Sequence, residues 1–197
     1  MKLISEGAEA KIYVEDLFGE RVVVKERVEK KYREKALDIK IRSARTKNEA
    51  RVLYRALRAC SNVPRLIGVG RFSIYMSFID GKLLRDVRIK RSIIEEVGML
   101  LARMHNADIT HGDFTPANIM VSNGKAYVID FGLASISKSI EEKAIDVLLM
   151  KRSLDQRRYK LFELSYMKHT KEGKKVLERV KEIEKRGRYQ NRSLNTV

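Results

Sequence analysis

Residues 110–132, "THGDFTPANIMVSNGKAYVIDFG", constrain the fold more than any other part of this chain. Two short apolar runs, "NIMV" and "AYVID", flank Asn123-Gly124, which is a strong signal for a β-hairpin turn. Such a hairpin returns Asp130, after its second strand, to the loop that carries Asp113 and Asn118. Mg²⁺ accepts one or two protein oxygens and keeps water and phosphate for its other positions. The stretch therefore predicts a site for metal and phosphate.

The order of these residues resembles the catalytic loop and the metal-binding D-F-G of protein kinases. Phosphoryl transfer needs a metal on the phosphates, a residue that orients the attacking oxygen, and a cation on the phosphate chain. The resemblance implies that Asp113 orients the attacking hydroxyl or water, and that Asn118 and Asp130 hold Mg²⁺. An ordinary aspartate helix cap and asparagine turn are the alternative, since each is common alone. Their joint occurrence before D-F-G favours the phosphotransferase interpretation.

Two upstream residues match the phosphate-binding cation of a kinase and its support. Lys25 ends the strand-like run "VVVK", and Glu49 lies in the helix predicted after it. A kinase lysine that contacts the phosphates needs a helix glutamate to hold it in place. Lys25 and Glu49 are therefore predicted to complete the catalytic set with Asp113. The other interpretation of Glu49 is a solvated helix charge.

ATP is the predicted cofactor beside Mg²⁺. The segment "SEGAEAKIY" stands where a kinase has its glycine-rich loop over the phosphates, but it is weak as a motif because Gly7 alone remains of the usual glycines. The phosphate cradle would rely on Ser5, Gly7 and Ala8, together with Lys25. The hinge that binds adenine through its backbone is predicted at four consecutive residues, Met76, Ser77, Phe78 and Ile79.

The chain predicts an α+β, two-lobed protein-kinase-like fold, with a small strand-rich N-terminal lobe and a reduced helical C-terminal lobe. The expected boundaries are 1–78 for the first lobe and 79–184 for the second. A basic, flexible tail would follow over 185–197, because Gly187 is expected to stop the last helix. In the first lobe, "KIYVEDLFGERVVVKERV" predicts two strands joined by a turn near Gly19.

Two helices show apolar faces at helical spacing. In the first, the predicted buried residues are Ala50, Leu53, Tyr54 and Leu57. In the second, "SIIEEVGMLLARMHN", Ser92 is predicted to cap the helix, with Glu95 three residues on. Its predicted buried face consists of Ile93, Val97, Leu100, Leu101 and Met104.

Charge is the main anomaly of the composition. Lys and Arg total 42 against 26 Asp and Glu, a formal net charge of +16, which favours a polyanionic partner over a merely solvated basic surface. The one cysteine, Cys60, excludes a disulfide within the chain and is expected to be a buried structural thiol. No apolar run approaches the ~18 residues of a membrane span, and "MKLISEGAEA" lacks the apolar core of a signal peptide. We expect a cytoplasmic protein that contacts no membrane.

Two departures from typical protein kinases narrow the kind of phosphotransferase that this chain can be. Gly112 stands where those enzymes have an arginine that reads a phosphorylated activation loop, and no A-P-E sequence follows D-F-G. An H-G-D loop also occurs in aminoglycoside and choline phosphotransferases. A small-molecule phosphotransferase is therefore the alternative function, and it would require an acidic pocket for a cationic acceptor.

Further segments resemble the small atypical Ser/Thr kinase and ATPase subunit of the KEOPS complex, the PRPK family. They are distributed along nearly the whole chain, and the segment "YR…LD…R…EA" is not shared by small-molecule phosphotransferases. The matching segments are "GAEAKIY" (7–13), "KKYREKALDIKIRSARTKNEARVL" (30–53), "MSFIDG" (76–81), "MHNADITHGDFTPANIM" (104–120), "IDFGLASIS" (129–137), "EEKAIDVLLMKRS" (141–153) and "KRGR" (185–188).

The resemblance implies a role in making N6-threonylcarbamoyladenosine at position 37 of tRNAs that read ANN codons. It also implies three partners: the KEOPS threonylcarbamoyl transferase subunit, a further small KEOPS subunit, and tRNA. Basic residues near the predicted ATP site and in the tail suit tRNA phosphates, whose binding would depend steeply on salt. The alternative is a solvated basic surface that meets acidic proteins. The predicted contacts are Lys30, Lys31, Arg33, Lys185, Arg186 and Arg188.

Overall fold

An antiparallel sheet of five strands, in the order β1-β2-β3-β5-β4, forms the N-terminal lobe of the computed structural model. The model describes the backbone of residues 1–194 and the side chains of residues 1–186. The predicted hairpin is confirmed, with Gly19 in its turn and β2 and β3 paired in continuous register. The strands are β1 (Lys2–Glu6), β2 (Ala10–Leu17), β3 (Glu20–Arg27), β4 (Leu66–Val69) and β5 (Ser73–Ser77).

Helix α1 (Lys35–Ala59) packs on this sheet and carries Glu49. Its N-terminus is capped by Glu34, whose carboxylate accepts from the backbone N–H groups of Ala36 and Leu37. The prediction that Tyr54 is buried is wrong, because 54% of that residue is exposed. The buried face, which holds Glu49, Val52, Leu53 and Ala56, is centred about one residue earlier, since Glu49 must face Lys25 on the sheet.

The C-terminal lobe combines a three-stranded and a two-stranded antiparallel sheet with four α-helices. Asn123 and Gly124 both have positive φ, 48° and 73°, so the predicted hairpin turn is confirmed. The strands are β6 (Lys82–Leu83), β7 (Ile109–Thr110), β8 (Ile119–Ser122), β9 (Lys125–Val128) and β10 (Ser135–Ile136). The helices are α2 (Arg91–Asn106), α3 (Ile140–Ser153), α4 (Gln156–His169) and α5 (Gly173–Leu194).

Helix α2 is the centre of this lobe, and all five residues of its predicted buried face are buried. It approaches α4 so closely that a Cβ on Gly98 would lie 2.5 Å from the carbonyl oxygen of Phe162. The predicted cap at Ser92 is wrong. The helix begins at Arg91, its N-cap Lys90 makes no side-chain cap bond, and Glu95 is engaged by Arg91 at 2.7 Å.

Helix α5 continues through Gly187 to Leu194, so the prediction that Gly187 stops it is wrong. A glycine inside a helix costs only about 1 kcal/mol relative to alanine, which tertiary packing readily offsets. Val176 and Val180 of α5 are buried in the core of the lobe. The lobe boundaries remain a prediction, since one continuous hydrophobic core contains residues of both lobes, among them Leu53 and Ile74 from the first.

Cys60 lies just after α1 and is buried, as predicted. Burial raises the pKa of its thiol to about 11, so the group stays protonated at neutral pH. None of the helices described over residues 1–194 is long and apolar enough to cross a lipid bilayer.

Candidate active site

Lys25 lies at the centre of the candidate site, near the end of β3. Its Nζ donates to Glu49 Oε1 at 2.7 Å and to Asp130 Oδ1 at 2.6 Å. Lys25 and Glu49 are both buried, which means that Glu49 is no solvated helix charge. The other oxygen of Glu49 accepts from Arg27 Nη2 at 2.5 Å. The sheet, α1 and the D-F-G segment thus meet at one ammonium group.

Asp130 follows β9 in a left-handed conformation, with φ of 61°. This conformation is uncommon outside glycine and is often found at functional sites. It brings the carboxylate back to Lys25 and allows it to accept from the backbone N–H of Gly132 at 3.0 Å. Burial opposes ionisation, but the ammonium of Lys25 and the Gly132 amide outweigh it, so the pKa of Asp130 is lowered. The carboxylate is therefore ionised at neutral pH and half-exposed toward the cleft.

Asp113 and Asn118 lie together on the loop between β7 and β8. Asn118 Nδ2 donates both to the backbone oxygen of Asp113 and to its Oδ2, each at 2.8 Å. Because the amide nitrogen is used in this way, the amide oxygen of Asn118 is left to act as a ligand. No cluster of three His, Cys, Asp or Glu side chains that could hold a metal occurs among the described residues. One amide oxygen and one carboxylate fit Mg²⁺, which takes its remaining ligands from water and phosphate.

Asp146 on α3 anchors the catalytic loop, and sequence reasoning missed it. This fully buried carboxylate accepts from the backbone N–H groups of His111 at 2.7 Å and of Gly112 at 2.8 Å. His105 Nε2 lies 3.2 Å from the same carboxylate, and burial lowers the pKa of His105 although Asp146 favours its protonated form. The available signal was a lone acidic residue in the apolar run "AIDVLLM".

His111 supports the loop through its ring. Its Nδ1 accepts from the backbone N–H of Asp113 at 3.4 Å, and its Nε2 lies 3.1 Å from the carbonyl oxygen of Ile129. These partners assign the ring proton to Nε2. The imidazole therefore connects the catalytic loop to the strand that leads to Asp130.

Gly112 is required by the backbone at its position. Its φ is +76°, and an added Cβ would lie 2.5 Å from the carbonyl oxygen of Leu133. The arginine of typical protein kinases therefore cannot occupy this position without moving the segment after D-F-G. That segment is held by the pairing of β10 with β7 and by the bond from Asn48 to the carbonyl oxygen of Ala134 at 3.1 Å.

Two adjoining cavities meet at Lys25 and Asp130. The first is mostly apolar and lies between the lobes, bordered by Val23, Leu53, Met120 and Phe131 and by the predicted hinge residues Met76, Ser77, Phe78 and Ile79. The second also contains Asp113 and is lined by the predicted phosphate-loop residues Ser5, Gly7 and Ala8. The backbone N–H of Gly7 already donates to Ala10 at 3.0 Å, so it is not free for phosphate.

Several of the predicted tRNA contacts are already engaged within the chain. Lys30 Nζ contacts the carbonyl oxygen of Ala8, Arg33 lies 3.8 Å from Asp38, and Arg186 binds Glu141 at 2.8 Å. Lys31 and Lys185 are exposed, and the side chain of Arg188 lies outside the described residues. Arg33 and Arg186 thus lie beside carboxylates of the same chain, whereas Lys30 contacts a backbone oxygen of the predicted phosphate loop.

Comparisons with known proteins show which family the chain resembles. Residues 11–151 match the RIO domain family. The chain is 39% identical to the KEOPS complex subunit Bud32 of Pyrococcus abyssi, covering 98% of both chains. It is also 39% identical to a probable serine/threonine-protein kinase, the BUD32 homolog of Archaeoglobus fulgidus, covering 88% of this chain and 91% of that one.

A longer relative and two solved structures extend the comparison. A probable bifunctional tRNA threonylcarbamoyladenosine biosynthesis protein of Methanosarcina acetivorans is 38% identical over 94% of this chain, which spans only 35% of that protein. The Rio2 kinase of Chaetomium thermophilum, solved as an ADP/Mg²⁺-phosphoaspartate complex, has a TM-score of 0.68 at 16% identity, covering 96% of this chain and 72% of that one. The structure of WaaP in complex with acyl carrier protein has a TM-score of 0.62 at 16% identity. The match covers 93% of this chain and 88% of that one.

The solved structures establish the fold, a two-lobed α+β kinase architecture, because their TM-scores are 0.68 and 0.62. At 16% identity they show the fold alone. The sequence matches establish the family, because they cover most of the chain at well over 30% identity. The chain belongs to the RIO-domain kinases and, among them, to the family of the KEOPS subunit Bud32.

Proposed function

We propose that this chain is a Mg²⁺-dependent atypical serine/threonine kinase and ATPase. The observation that carries the proposal is the bridging of Glu49 and Asp130 by Lys25, with the Asp113–Asn118 pair beside the same cleft. Among the described residues, Lys25 is the one that contacts both the helix glutamate and the D-F-G aspartate. An arrangement of this kind suits phosphoryl transfer, which depends on positioning and electrostatics more than on covalent chemistry.

Each residue has a defined role in the proposed reaction. Asp113 accepts a hydrogen bond from the attacking hydroxyl or water and orients it toward the terminal phosphate. Lys25 supplies positive charge to the phosphate chain, and Glu49 holds Lys25 in place. Asn118 and Asp130 would hold Mg²⁺, which, when bound, offsets the charge of the phosphate oxygens. The apolar cavity beside Met76–Ile79 would take the adenine ring.

We further propose that the chain acts as a KEOPS subunit in the N6-threonylcarbamoyladenosine modification of tRNAs that read ANN codons. The names of the relatives support this role, since they specify the KEOPS complex and tRNA threonylcarbamoyladenosine biosynthesis. The partners would be the threonylcarbamoyl transferase subunit, a further small KEOPS subunit, and tRNA. The net charge of +16 supports tRNA as the polyanionic partner.

The alternative, a small-molecule phosphotransferase with a cationic acceptor, has less support. It requires acidic side chains around the acceptor position. A depression beside the catalytic loop is instead lined by Arg85, Thr115, Ser153 and Arg158, with no acidic side chain among its lining residues. A depression without a carboxylate in its lining offers no ion pair to an aminoglycoside or a choline-like acceptor.

The test is ATP turnover with Mg²⁺ at fixed moderate salt, with free phosphate separated from phosphoprotein. It is run with the chain alone, with tRNA, and with tRNA plus the transferase subunit. Asp130→Ala is expected to abolish turnover in every case while the protein stays folded, because it removes a proposed metal ligand. Free phosphate that rises only with tRNA and partner supports the tRNA role. Phosphoprotein that is indifferent to tRNA contradicts that role, and full turnover by Asp130→Ala contradicts the proposed site.

A further inference from the structure

Arg27 is a second cation at the carboxylate of Glu49. It lies two residues beyond Lys25 on β3, so both side chains project from the same face of the sheet. Only 5% of Arg27 is exposed. Its Nη2 donates to Glu49 Oε2 at 2.5 Å, while Lys25 Nζ donates to Oε1 of the same carboxylate at 2.7 Å. Each oxygen of Glu49 is thus held by a different cation.

This division of Glu49 affects what Lys25 can do. The ammonium of Lys25 has three donors, and two are engaged by Glu49 and Asp130. With Arg27 on Oε2, the carboxylate is fixed with only Oε1 toward Lys25. Without Arg27, a buried carboxylate oxygen would lose its partner, and such an oxygen strongly attracts the nearest cation. Lys25 would then be drawn toward Glu49 and away from the phosphates.

The charge balance leads to the same conclusion. Lys25 and Arg27 balance Glu49 and Asp130, so the cluster is neutral before any nucleotide arrives. Removing Arg27 leaves one excess negative charge at the place where a polyphosphate must bind. Interactions between charges are strong at partly buried positions such as this one.

Stability alone does not account for Arg27. Its buried Nε is the one side-chain nitrogen or oxygen among the described residues that is buried without a hydrogen-bond partner. An unsatisfied buried donor is costly, and buried ion pairs contribute little net stability. A buried arginine with an unsatisfied donor is better explained by its effect on Glu49, whose carboxylate it holds in one orientation.

We propose that Arg27 is a positioning residue that holds Glu49 so that Lys25 stays available for the phosphates of ATP. This inference rests on the proposed ATP-dependent function and assigns a residue to that same site. It predicts that loss of Arg27 weakens the binding of the phosphate chain of the nucleotide and leaves the binding of its adenine ring unchanged.

The experiment measures the affinity of the full chain for a non-hydrolysable ATP analogue with Mg²⁺ and, separately, for adenosine, by isothermal titration calorimetry. Arg27→Met is expected to bind the analogue about tenfold more weakly and to bind adenosine within twofold of the wild type. Arg27→Lys, which keeps the charge, should lose less and covers the case in which Arg27→Met does not fold. The matched control is Arg65→Met, which breaks a similar 2.8 Å pair with Glu20 that is well exposed in the same lobe.

The same substitution of Arg27 in a Glu49→Gln variant tests whether Arg27 acts through Glu49. If Arg27 acts through Glu49, adding Arg27→Met to Glu49→Gln should weaken analogue binding by less than twofold. An equal loss in both backgrounds would mean that Arg27 contacts phosphate itself, and parallel losses of analogue and adenosine would mean a general structural role. Either result overturns the inference. A wild-type chain that does not bind the analogue contradicts the proposed function instead.

Discussion

Replacing Asp146 by asparagine keeps the size of a fully buried side chain but removes its charge. The asparagine oxygen can accept from only one of the two backbone N–H groups, those of His111 and Gly112, that Asp146 satisfies at 2.7 and 2.8 Å. The asparagine amide nitrogen, itself a donor, then faces the other N–H. A buried donor without a partner costs about 1–3 kcal/mol. If that cost appears as displacement of the catalytic loop, kcat falls about 5- to 150-fold, at 1.36 kcal/mol per factor of ten.

The assay is steady-state ATP turnover with Mg²⁺, with kcat and KM for ATP determined separately below the melting temperature. KM should change little, because Asp146 supports the loop that carries Asp113 and does not line the cavities assigned to ATP. The control is Asp155→Asn. Asp155 is an exposed helix cap that accepts from the backbone N–H of Arg158 at 2.8 Å, and asparagine caps a helix equally well. A folded Asp146→Asn protein with wild-type kcat would refute the reasoning.

Two more predictions concern the backbone and the thiol. Gly112→Ala should lower both the melting temperature and kcat, because its Cβ would overlap the carbonyl of Leu133 and because a φ of +76° is strained for alanine. The control is Gly124→Ala, which should keep wild-type kcat. Gly124 also has positive φ, but the space around it is open. Unchanged melting and turnover in Gly112→Ala would contradict this. Cys60, with its pKa raised to about 11 by burial, should react with a thiol-specific reagent at pH 8 only after denaturant is added. Rapid labelling of the folded chain would contradict its burial.

Local patterns in the sequence predicted the elements of the fold well. The turns at Gly19 and at Asn123-Gly124 and the buried face of α2 depend on neighbouring residues and on simple periodicity. The predictions that failed were those that depend on packing. Tyr54 is exposed because the orientation of α1 follows from the contact of Glu49 with Lys25. Helix α5 passes Gly187 because its earlier turns bury Val176 and Val180 in the core of the lobe.

The sequence by itself determined which residue types were available for metal and phosphate, and in what order, since these are properties of the motifs. It also indicated the family, through segments spread along the chain. Only the tertiary structure decided that Asp130 contacts Lys25 directly and that Asp146 anchors the catalytic loop. Asp130 lies 105 residues from Lys25, and Asp146 lies 34 residues from Gly112, and no local periodicity relates such positions. The roles inferred for Arg27 and Asp146 depend on burial, because a low dielectric and the loss of water make their contacts strong.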